Sequence, residues 1–355
     1  LNGAIIYQES RFSENKVYHD NLDVNQAIIK LLEVFKEPEY GQLEAELLDG
    51  KMHVLVSKKG TVTIKAKKTK DANVAVNAVQ DHNRTKNYIL SDGTPVDFLV
   101  ALGVQTPDGK VVKAKYDKFR QINKYLEFVK DVLPSIKDKD VIKIVDFGCG
   151  KSYLTFALYY YLKVINDFKV DIIGLDLKSD VIDTCNKLKD KLGYKELRFM
   201  QGNIKDYNGQ ESADMVVTLH ACDTATDYAI AKAIGWNASV IMTVPCCQHE
   251  LNGQIKAKNV DGLESVLKYG IIKERMSALI TDAYRGNCLE QAGYDVQIME
   301  FIDMEHTPKN ILIRAVKSNK KMTTKAAAGS QSIEELKKLT EYMNVNPTLG
   351  KLLEI

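Results

Sequence analysis

Hydrophobic and polar positions follow two different periods along the chain, most regularly between residues 141 and 317. Short, β-branched apolar runs recur there, and segments with apolar residues at helical spacing lie between them. Apolar runs without a polar face are typical of parallel strands that are covered on both sides. Their alternation with helices predicts a doubly wound α/β sheet. The seven predicted strands are residues 141–146, 170–175, 197–200, 215–219, 239–244, 295–301 and 310–316.

Outside this region the pattern predicts smaller elements. A helical pattern at residues 24–35 is followed by a hairpin of two strands, 51–57 and 61–67, which together indicate a small α+β module. A helix entered at residue 115 is expected to end at Pro134. The predicted segments are therefore an α+β module at 1–90, a connector with a covering helix at 91–140, the sheet domain at 141–317, and a C-terminal segment at 318–355 that consists of a basic linker, 318–331, and a helix, 332–343.

Composition narrows the class of protein. The 355 residues carry a formal net charge of +2, so bulk electrostatics do not indicate nucleic-acid binding and any basic signal must be local. Neither an apolar stretch of about 18 residues nor a signal peptide is visible, which predicts a soluble, cytoplasmic protein. All six cysteines lie in the second half without a small-scaffold spacing, and this favours a reducing compartment.

A strand, a glycine turn and a helix follow one another at residues 141–162. A phosphate-binding P-loop would need glycine where Val145 stands, and the dinucleotide fingerprint would need a third glycine where Tyr153 stands. The pattern that is present, Asp146-x-Gly148-x-Gly150, resembles the first motif of class I S-adenosylmethionine (SAM) methyltransferases. A glycine turn of any other α/β fold is the simpler alternative.

Polar residues after the next two strands extend this cofactor hypothesis. Asp176 ends the second strand, where a carboxylate can accept both ribose hydroxyls of an adenosine; the alternative is a helix N-cap. Asn203 follows the third strand and could accept from the adenine amino group, although loop asparagines are usually turn formers. The predicted cofactor-binding residues are Asp146, Gly148, Gly150, Lys151, Asp176, Leu177, Asn203, Ile204 and His220.

Catalytic candidates follow the fourth and fifth strands. His220 could act as a general base near neutral pH, or it could simply be bonded to backbone. Cys246 and Cys247 allow three interpretations: core packing, metal binding with His249 and either Cys222 or His220, or a cytosine-C5 nucleophile activated by His249 or Glu250. No Cys-x-x-Cys pair exists, so no metal is assigned, and no covalent adduct is expected. The predicted catalytic residues are His220, Asp223, Cys246, Cys247 and His249.

A local basic signal suggests the methyl acceptor. Six lysines and no acidic residue lie between residues 58 and 70, which fits either a charged strand edge or a phosphate-binding patch. RNA is the predicted acceptor; the alternatives are a protein, a small molecule, or a non-catalytic module that binds SAM or RNA. The predicted substrate-binding residues are Lys58, Lys59, Lys118, Arg120 and Gln121.

Five segments together resemble a known family. Residues 115–121, 146–154, 219–223, 244–251 and 305–310 are similar to motifs of a largely uncharacterised group of bacterial class I SAM methyltransferases, which has eukaryotic relatives among the methyltransferase-like proteins. The resemblance spans roughly residues 90–317. It implies a seven-stranded, Rossmann-like methyltransferase domain with SAM at Asp146, Gly148, Gly150 and Asp176, and it implies no particular acceptor.

Overall fold

A computed structural model describes residues 7–13, 16–34, 41–47, 50–57, 61–68, 88–219, 221–301, 310–318 and 325–355. The chain separates into two compact units, Leu1–Lys86 and Asn87–Ile355. The finer division into four segments stays a prediction. Among the described residues, no helix combines the length and the apolar character needed to cross a lipid bilayer. The cytoplasmic location stays a prediction.

The first unit contains two small antiparallel sheets and one helix. Its elements are β1 (Tyr7–Ser13), β2 (Lys16–Leu22), α1 (Val24–Val34), β3 (Gln42–Leu47), β4 (Gly50–Val56) and β5 (Val62–Lys68). β1 pairs with β2, and β3, β4 and β5 form a three-stranded sheet, so the predicted hairpin is confirmed. Asp23 and Gln26 cap α1 reciprocally, because each backbone N–H donates to the other's side chain.

The second unit is built on a seven-stranded sheet with helices between the strands. Its strands are β6 (Ile142–Phe147), β7 (Val170–Asp176), β8 (Leu197–Gln201), β9 (Met215–Thr218), β10 (Val240–Thr243), β11 (Tyr294–Glu300) and β12 (Ile311–Lys317). Its helices are α2 (Asp97–Ala101), α3 (Tyr116–Val132), α4 (Tyr153–Tyr159), α5 (Ser179–Leu192), α6 (Thr224–Gly235), α7 (His249–Gln254), α8 (Glu264–Leu267), α9 (Gly270–Gln291), α10 (Lys325–Met343) and α11 (Thr348–Leu353).

The strand order is β11-β12-β10-β9-β6-β7-β8. The five strands from β8 to β10 are parallel, whereas β12 runs antiparallel to both β10 and β11. From β6 the chain adds β7 and β8 on one side and then returns to place β9 and β10 on the other. The order therefore reverses between β6 and β9, and ligands of open α/β sheets bind beyond the carboxyl ends of strands at such a point. The predicted doubly wound, seven-stranded sheet is confirmed.

Both faces of the sheet are buried at its central strands. Ile144 and Val145 are neighbours on β6 and point to opposite faces, yet neither is exposed. Ile144 belongs to a core cluster that includes apolar residues of α3 and α4, and Val145 to a cluster with residues of α6, α9 and α11. Covered faces explain why the strands are continuous apolar runs rather than alternating ones.

Two helices are longer than the sequence predicts. The apolar spacing of the sequence predicts a helix at residues 281–291, but α9 begins at Gly270, because apolar residues on its exposed side, including Ile271 and Leu279, hide the helical period. α10 begins at Lys325 rather than at residue 332, so the latter half of the predicted linker is helical; its three consecutive alanines favour a helix. Leu336 on α10 and Leu349 on α11 are buried in the core cluster on one face of the sheet, so the C-terminal helices pack against the sheet domain.

Candidate active site

The glycine turn lies between β6 and α4. Gly148, Gly150 and Ser152 all have positive φ, at 71°, 51° and 58°. At Gly148 a Cβ atom would also come within 3.2 Å of the Ala221 backbone nitrogen, so close approach and backbone conformation both require glycine. The N–H groups of Gly148 and Cys149 donate to the Leu175 carbonyl, which fixes the turn beside the end of β7.

Asp146 lies at the carboxyl end of β6 with its side chain buried. Thr155 on α4 donates a hydrogen bond of 2.6 Å to its Oδ2 atom. Burial raises the pKa of this carboxyl to about 7; the Thr155 hydrogen bond opposes that shift and the nearby Asp176 adds to it. A buried carboxyl at a ligand-binding edge of the sheet is suited to a cationic ligand, which would favour its ionised form.

Asp176 ends β7 next to the same turn. Its Oδ2 atom accepts from the Gly150 N–H at 2.9 Å, and its Oδ1 atom accepts from the Lys178 N–H at 3.1 Å. A carboxylate has about four acceptor positions, so these two bonds leave capacity for hydroxyl groups of a ligand. Leu177, directly after it, is 65% exposed and presents an apolar surface at the rim.

A cavity of about 300 Å³ lies above the turn. It is lined by Lys118, Asp146, Gly148, Cys149, Lys151, Ser152, Tyr153, Leu154 and Leu219. The structure thus brings the predicted substrate residue Lys118 together with the predicted cofactor residues Asp146, Gly148 and Lys151. The Lys118 Nζ atom lies 5.3 Å from the centre of the Tyr153 ring and donates to Gln121 Oε1 at 2.6 Å. Burial lowers the pKa of Lys118.

Other predicted residues have local roles. Asn203 is exposed, and its side-chain oxygen accepts from the Lys205 N–H, as in a turn-forming asparagine. Ile204 is buried in the core beneath it. Arg120 donates to Asp117 on the same helix. His220, Lys58 and Lys59 lie outside the described residues.

Asp223 joins the loops that follow β9 and β10. Its Oδ1 atom accepts from the Glu250 N–H at 3.0 Å, and its own N–H donates to the Cys247 carbonyl at 3.2 Å. Its φ of 54° with ψ of −124° is unusual for a residue other than glycine, and such conformations persist where surrounding contacts hold them. The predicted catalytic residue therefore also has a structural role.

A buried ionic cluster that the sequence analysis missed supports these loops. Arg285 on α9 is 1% exposed, and its guanidinium binds both carboxylate oxygens of Asp227, one oxygen of Asp282 and the Asp223 carbonyl. Gln248 donates to the second oxygen of Asp282 at 2.9 Å. One feature of the sequence could have indicated this cluster. Asp282 and Arg285 lie on the same helix face as Tyr284 and Cys288, and two opposite charges on such a face indicate a buried ion pair. Thr155, the partner of Asp146, was also missed.

Three cysteine sulfurs meet at the ends of β9 and β10. The Sγ atoms of Cys222 and Cys246 are 3.0 Å apart, and those of Cys246 and Cys247 are 3.7 Å apart. Burial and the neighbouring thiols raise the pKa of Cys246, and burial raises that of Cys247, which disfavours a free thiolate nucleophile.

His249 and Glu250 are the two residues predicted to activate a cysteine thiol, and they differ in exposure and in hydrogen bonding. His249 is exposed at the start of α7. Glu250 accepts two hydrogen bonds from Thr348, one from its N–H at 3.0 Å and one from its hydroxyl at 2.7 Å. Glu250 thus holds the start of α11 and is less suited to accept a thiol proton.

The central part of the chain is similar to a known family of domains. Residues 117–254 match the family model of a methyltransferase domain. The match contains the glycine turn, Asp176, Asp223 and the three clustered cysteines, and it ends before α9. It supports a SAM-dependent methyltransferase, and SAM is the cofactor that such a domain implies. The predicted methyltransferase-like α/β fold is in agreement with it.

Curated relatives match about half of this chain. The human and the crab-eating macaque (Macaca fascicularis) glutathione S-transferase C-terminal domain-containing proteins are each 26% identical over 197 residues. These matches cover 49% of this chain and 30% of each relative, so the chain spans less than a third of their length. The relatives are mammalian, and the likeness to a bacterial group stays a prediction.

Solved structures include distant methyltransferases. A SAM-dependent methyltransferase from Aquifex aeolicus is 13% identical, with a TM-score of 0.36, and the match covers 63% of this chain and all of that one. A magnesium protoporphyrin IX methyltransferase from Synechocystis, with bound S-adenosylhomocysteine (SAH), is 16% identical with a TM-score of 0.38, over 59% of this chain and 90% of that one.

Proposed function

We propose that this chain is an enzyme that transfers the methyl group of SAM to RNA. The observation that carries the SAM part is the cavity at the carboxyl end of β6, where the positive-φ glycine turn meets the buried carboxyl of Asp146. The methyltransferase-domain match over residues 117–254 supports the same activity.

The residues around this cavity fit the chemical groups of SAM. SAM carries an ammonium and a sulfonium cation, which suit the Asp146 carboxylate, and two ribose hydroxyls, which suit the remaining acceptor positions of Asp176. The absence of a side chain at Gly148 lets a ligand approach the backbone of the turn. When bound, SAM supplies an electrophilic methyl group. The protein's contribution is to hold that group and its acceptor in line.

A matched pair of glycine variants tests cofactor binding. Gly150→Arg should abolish SAH binding in calorimetry, because the new side chain would extend from the turn beside Asp176. Gly193→Arg is the control. Both glycines have positive φ, 51° and 72°, and at neither would a Cβ meet another atom within 4 Å. Both substitutions therefore carry a similar backbone cost of about 1–2 kcal/mol, but Gly193 lies at the far end of α5.

The outcomes separate binding from folding. Retained SAH binding in Gly193→Arg and abolished binding in Gly150→Arg, with equal circular dichroism, supports the site. A wild-type chain that gives no heat with SAH and does not compete for SAM contradicts it. Binding without turnover, when tritiated SAM is incubated with fractionated RNA and protein, would indicate a non-catalytic module. Label in the protein fraction alone would replace RNA by a protein acceptor.

The RNA part rests on one face of the three-stranded sheet in the first unit. Lys65 and Lys67 are exposed and lie on the same side of β5, and Lys67 pairs directly with Lys51 on β4. Exposed lysines grouped on one face of a sheet are typical of a phosphate-binding surface, which supports an anionic partner. A cavity of about 490 Å³ is lined by these three lysines and by His53, among other residues. Glu44 lies 3.6 Å from His53 and offsets part of the charge.

Salt dependence tests this surface. Lys65→Gln/Lys67→Gln should flatten the slope of log affinity for RNA against log salt by about one unit for each phosphate that the variant no longer neutralises. Lys187→Gln/Lys191→Gln removes the same charge from the exposed side of α5 and should leave the slope unchanged. Equal slopes in the wild type and the first variant would eliminate these lysines as phosphate ligands.

A further inference from the structure

The three clustered cysteines form a set of potential metal ligands that the methyl-transfer proposal does not use. Cys222 follows β9, and Cys246 and Cys247 follow β10, the adjacent strand of the sheet. Within the part of the chain that the structure describes, the Sγ atoms of these three residues all lie within 4.8 Å of one another. Residues 24 positions apart are thus brought together by strand pairing rather than by a local motif.

The sulfur separations fit a tetrahedral zinc ion. Zinc–sulfur bonds of about 2.3 Å at tetrahedral angles place ligand sulfurs about 3.8 Å apart. Cys246 and Cys247 are already 3.7 Å apart. Cys222 and Cys246 are 3.0 Å apart, which exceeds the length of a disulfide bond, about 2.05 Å, and requires an outward shift of less than about 1 Å to meet the zinc geometry.

The surrounding backbone holds the cysteines in place. The Asp223 N–H donates to the Cys247 carbonyl, and the Asp223 side chain accepts from the Glu250 N–H. The Arg285 guanidinium donates a hydrogen bond to the Asp223 carbonyl. These bonds join the two cysteine-bearing loops without engaging a sulfur atom. Supports of this kind orient metal ligands before the metal binds.

We propose that Cys222, Cys246 and Cys247 bind one zinc ion through three thiolates, which are the three ligands that the described residues supply, and that water or a group of the substrate completes the tetrahedron. Thiolates are soft ligands that select zinc over magnesium or calcium. Cys222 is exposed and the other two are half-buried, so the cluster is accessible from solvent at the carboxyl edge of the sheet, where the cofactor cavity also lies. Three protein ligands with one open position are typical of catalytic rather than structural zinc sites.

Metal content and cobalt spectra test this site without reference to methyl transfer. The full chain, purified under reducing conditions, should contain one zinc per chain by elemental analysis. Replacement of zinc by cobalt should give a near-ultraviolet thiolate charge-transfer band and the strong visible bands of tetrahedral coordination. Cys222→Ser should lose the charge-transfer intensity of one thiolate and bind zinc at least tenfold more weakly. Because Cys222 is exposed, this variant is expected to fold.

Cys288→Ala provides the matched control, since Cys288 is buried on α9 outside the cluster. It should retain both the zinc and the cobalt bands. A wild-type chain without zinc or a cobalt band, or with all three thiols titratable in the presence of excess zinc, would overturn the proposal. So would iron or copper as the bound metal, or a Cys222–Cys246 disulfide found by mass spectrometry in the reduced preparation. SAH binding is measured separately, so failure of either proposal leaves the other standing.

Discussion

The carboxyl group of Asp146 combines full burial with a position at the cofactor cavity. Burial raises its pKa to about 7, so near neutral pH it is divided between the neutral and the ionised form. A cationic ligand stabilises the ionised form and therefore binds more tightly as the carboxyl loses its proton. The same shift has a consequence for folding, because an unfolded chain returns Asp146 to an ordinary aspartate pKa of about 3.9.

The stability of the unliganded protein should accordingly fall as pH rises from about 4 to about 7 through the contribution of Asp146. In that window the folded chain holds a proton that the unfolded chain has released, so the contribution is full below the unfolded pKa and is lost above the folded pKa of about 7. Asp146→Asn should flatten this dependence, since an amide does not ionise and its oxygen still accepts from Thr155. Urea unfolding between pH 4 and 8 measures the difference.

The difference between the wild type and Asp146→Asn separates the effect of Asp146 from the effects of other buried acids. Asp227 and Asp282 also have raised pKa values from burial, but they are present in both chains and their effects cancel in the difference. A variant with the same pH slope as the wild type would show that Asp146 is ionised throughout this range.

At the scale of elements, α9 supports the two loops that follow β9 and β10 through buried polar contacts. Arg285 links α9 to α6 through Asp227, and it reaches the loop after β9 through the Asp223 carbonyl. Asp282, one turn earlier on α9, connects through Gln248 to the loop after β10. Two loops that carry candidate catalytic residues therefore share one buried cation, and their positions depend on it.

Arg285→Met should destabilise the protein by about 3–5 kcal/mol, because Asp227 and Asp282 would remain buried without their cation. Arg198→Met is the control: it removes an arginine whose ion pair with Asp171 is 2.6 Å long but half-exposed, and such pairs are worth about 0–1 kcal/mol. Urea unfolding at one pH compares the two variants. A cost for Arg285→Met no larger than that of Arg198→Met would show that the cluster does not hold α9 in place.

The sequence predicts those parts of the site whose residues are close together along the chain, and it does not predict contacts between residues that are far apart. Gly148 and Gly150 are predictable because positive φ angles in one short turn favour glycine, and Asp146 precedes them at a fixed spacing at the end of β6. The central strands β6, β7, β9 and β10 are predictable from the sequence because both of their faces are covered, which makes them largely apolar runs. The Arg285 cluster is different, since 58 residues separate Arg285 from Asp227 and no local pattern relates them. The cysteine cluster likewise depends on the pairing of β9 with β10.

At the scale of the whole molecule, the residues proposed to bind the cofactor and the lysines proposed to bind RNA lie in different units. Every residue that lines the cavity at the glycine turn lies at or after Lys118, within the unit Asn87–Ile355. The proposed phosphate-binding lysines, Lys65 and Lys67, lie within the unit Leu1–Lys86. Each unit has its own sheet and its own hydrogen-bonded elements. The two functions should therefore be separable by truncation.

A chain that begins at Asn87 should bind SAH with the affinity of the full chain, because it retains all the cavity residues and both core clusters that cover the sheet. Its RNA affinity should fall and become less dependent on salt, since the lysines of β5 are removed. Calorimetry with SAH and RNA titration at several salt concentrations measure the two effects on one preparation. Loss of SAH binding in a truncated chain that keeps its circular dichroism and its unfolding transition would mean that the first unit contributes to the cofactor site.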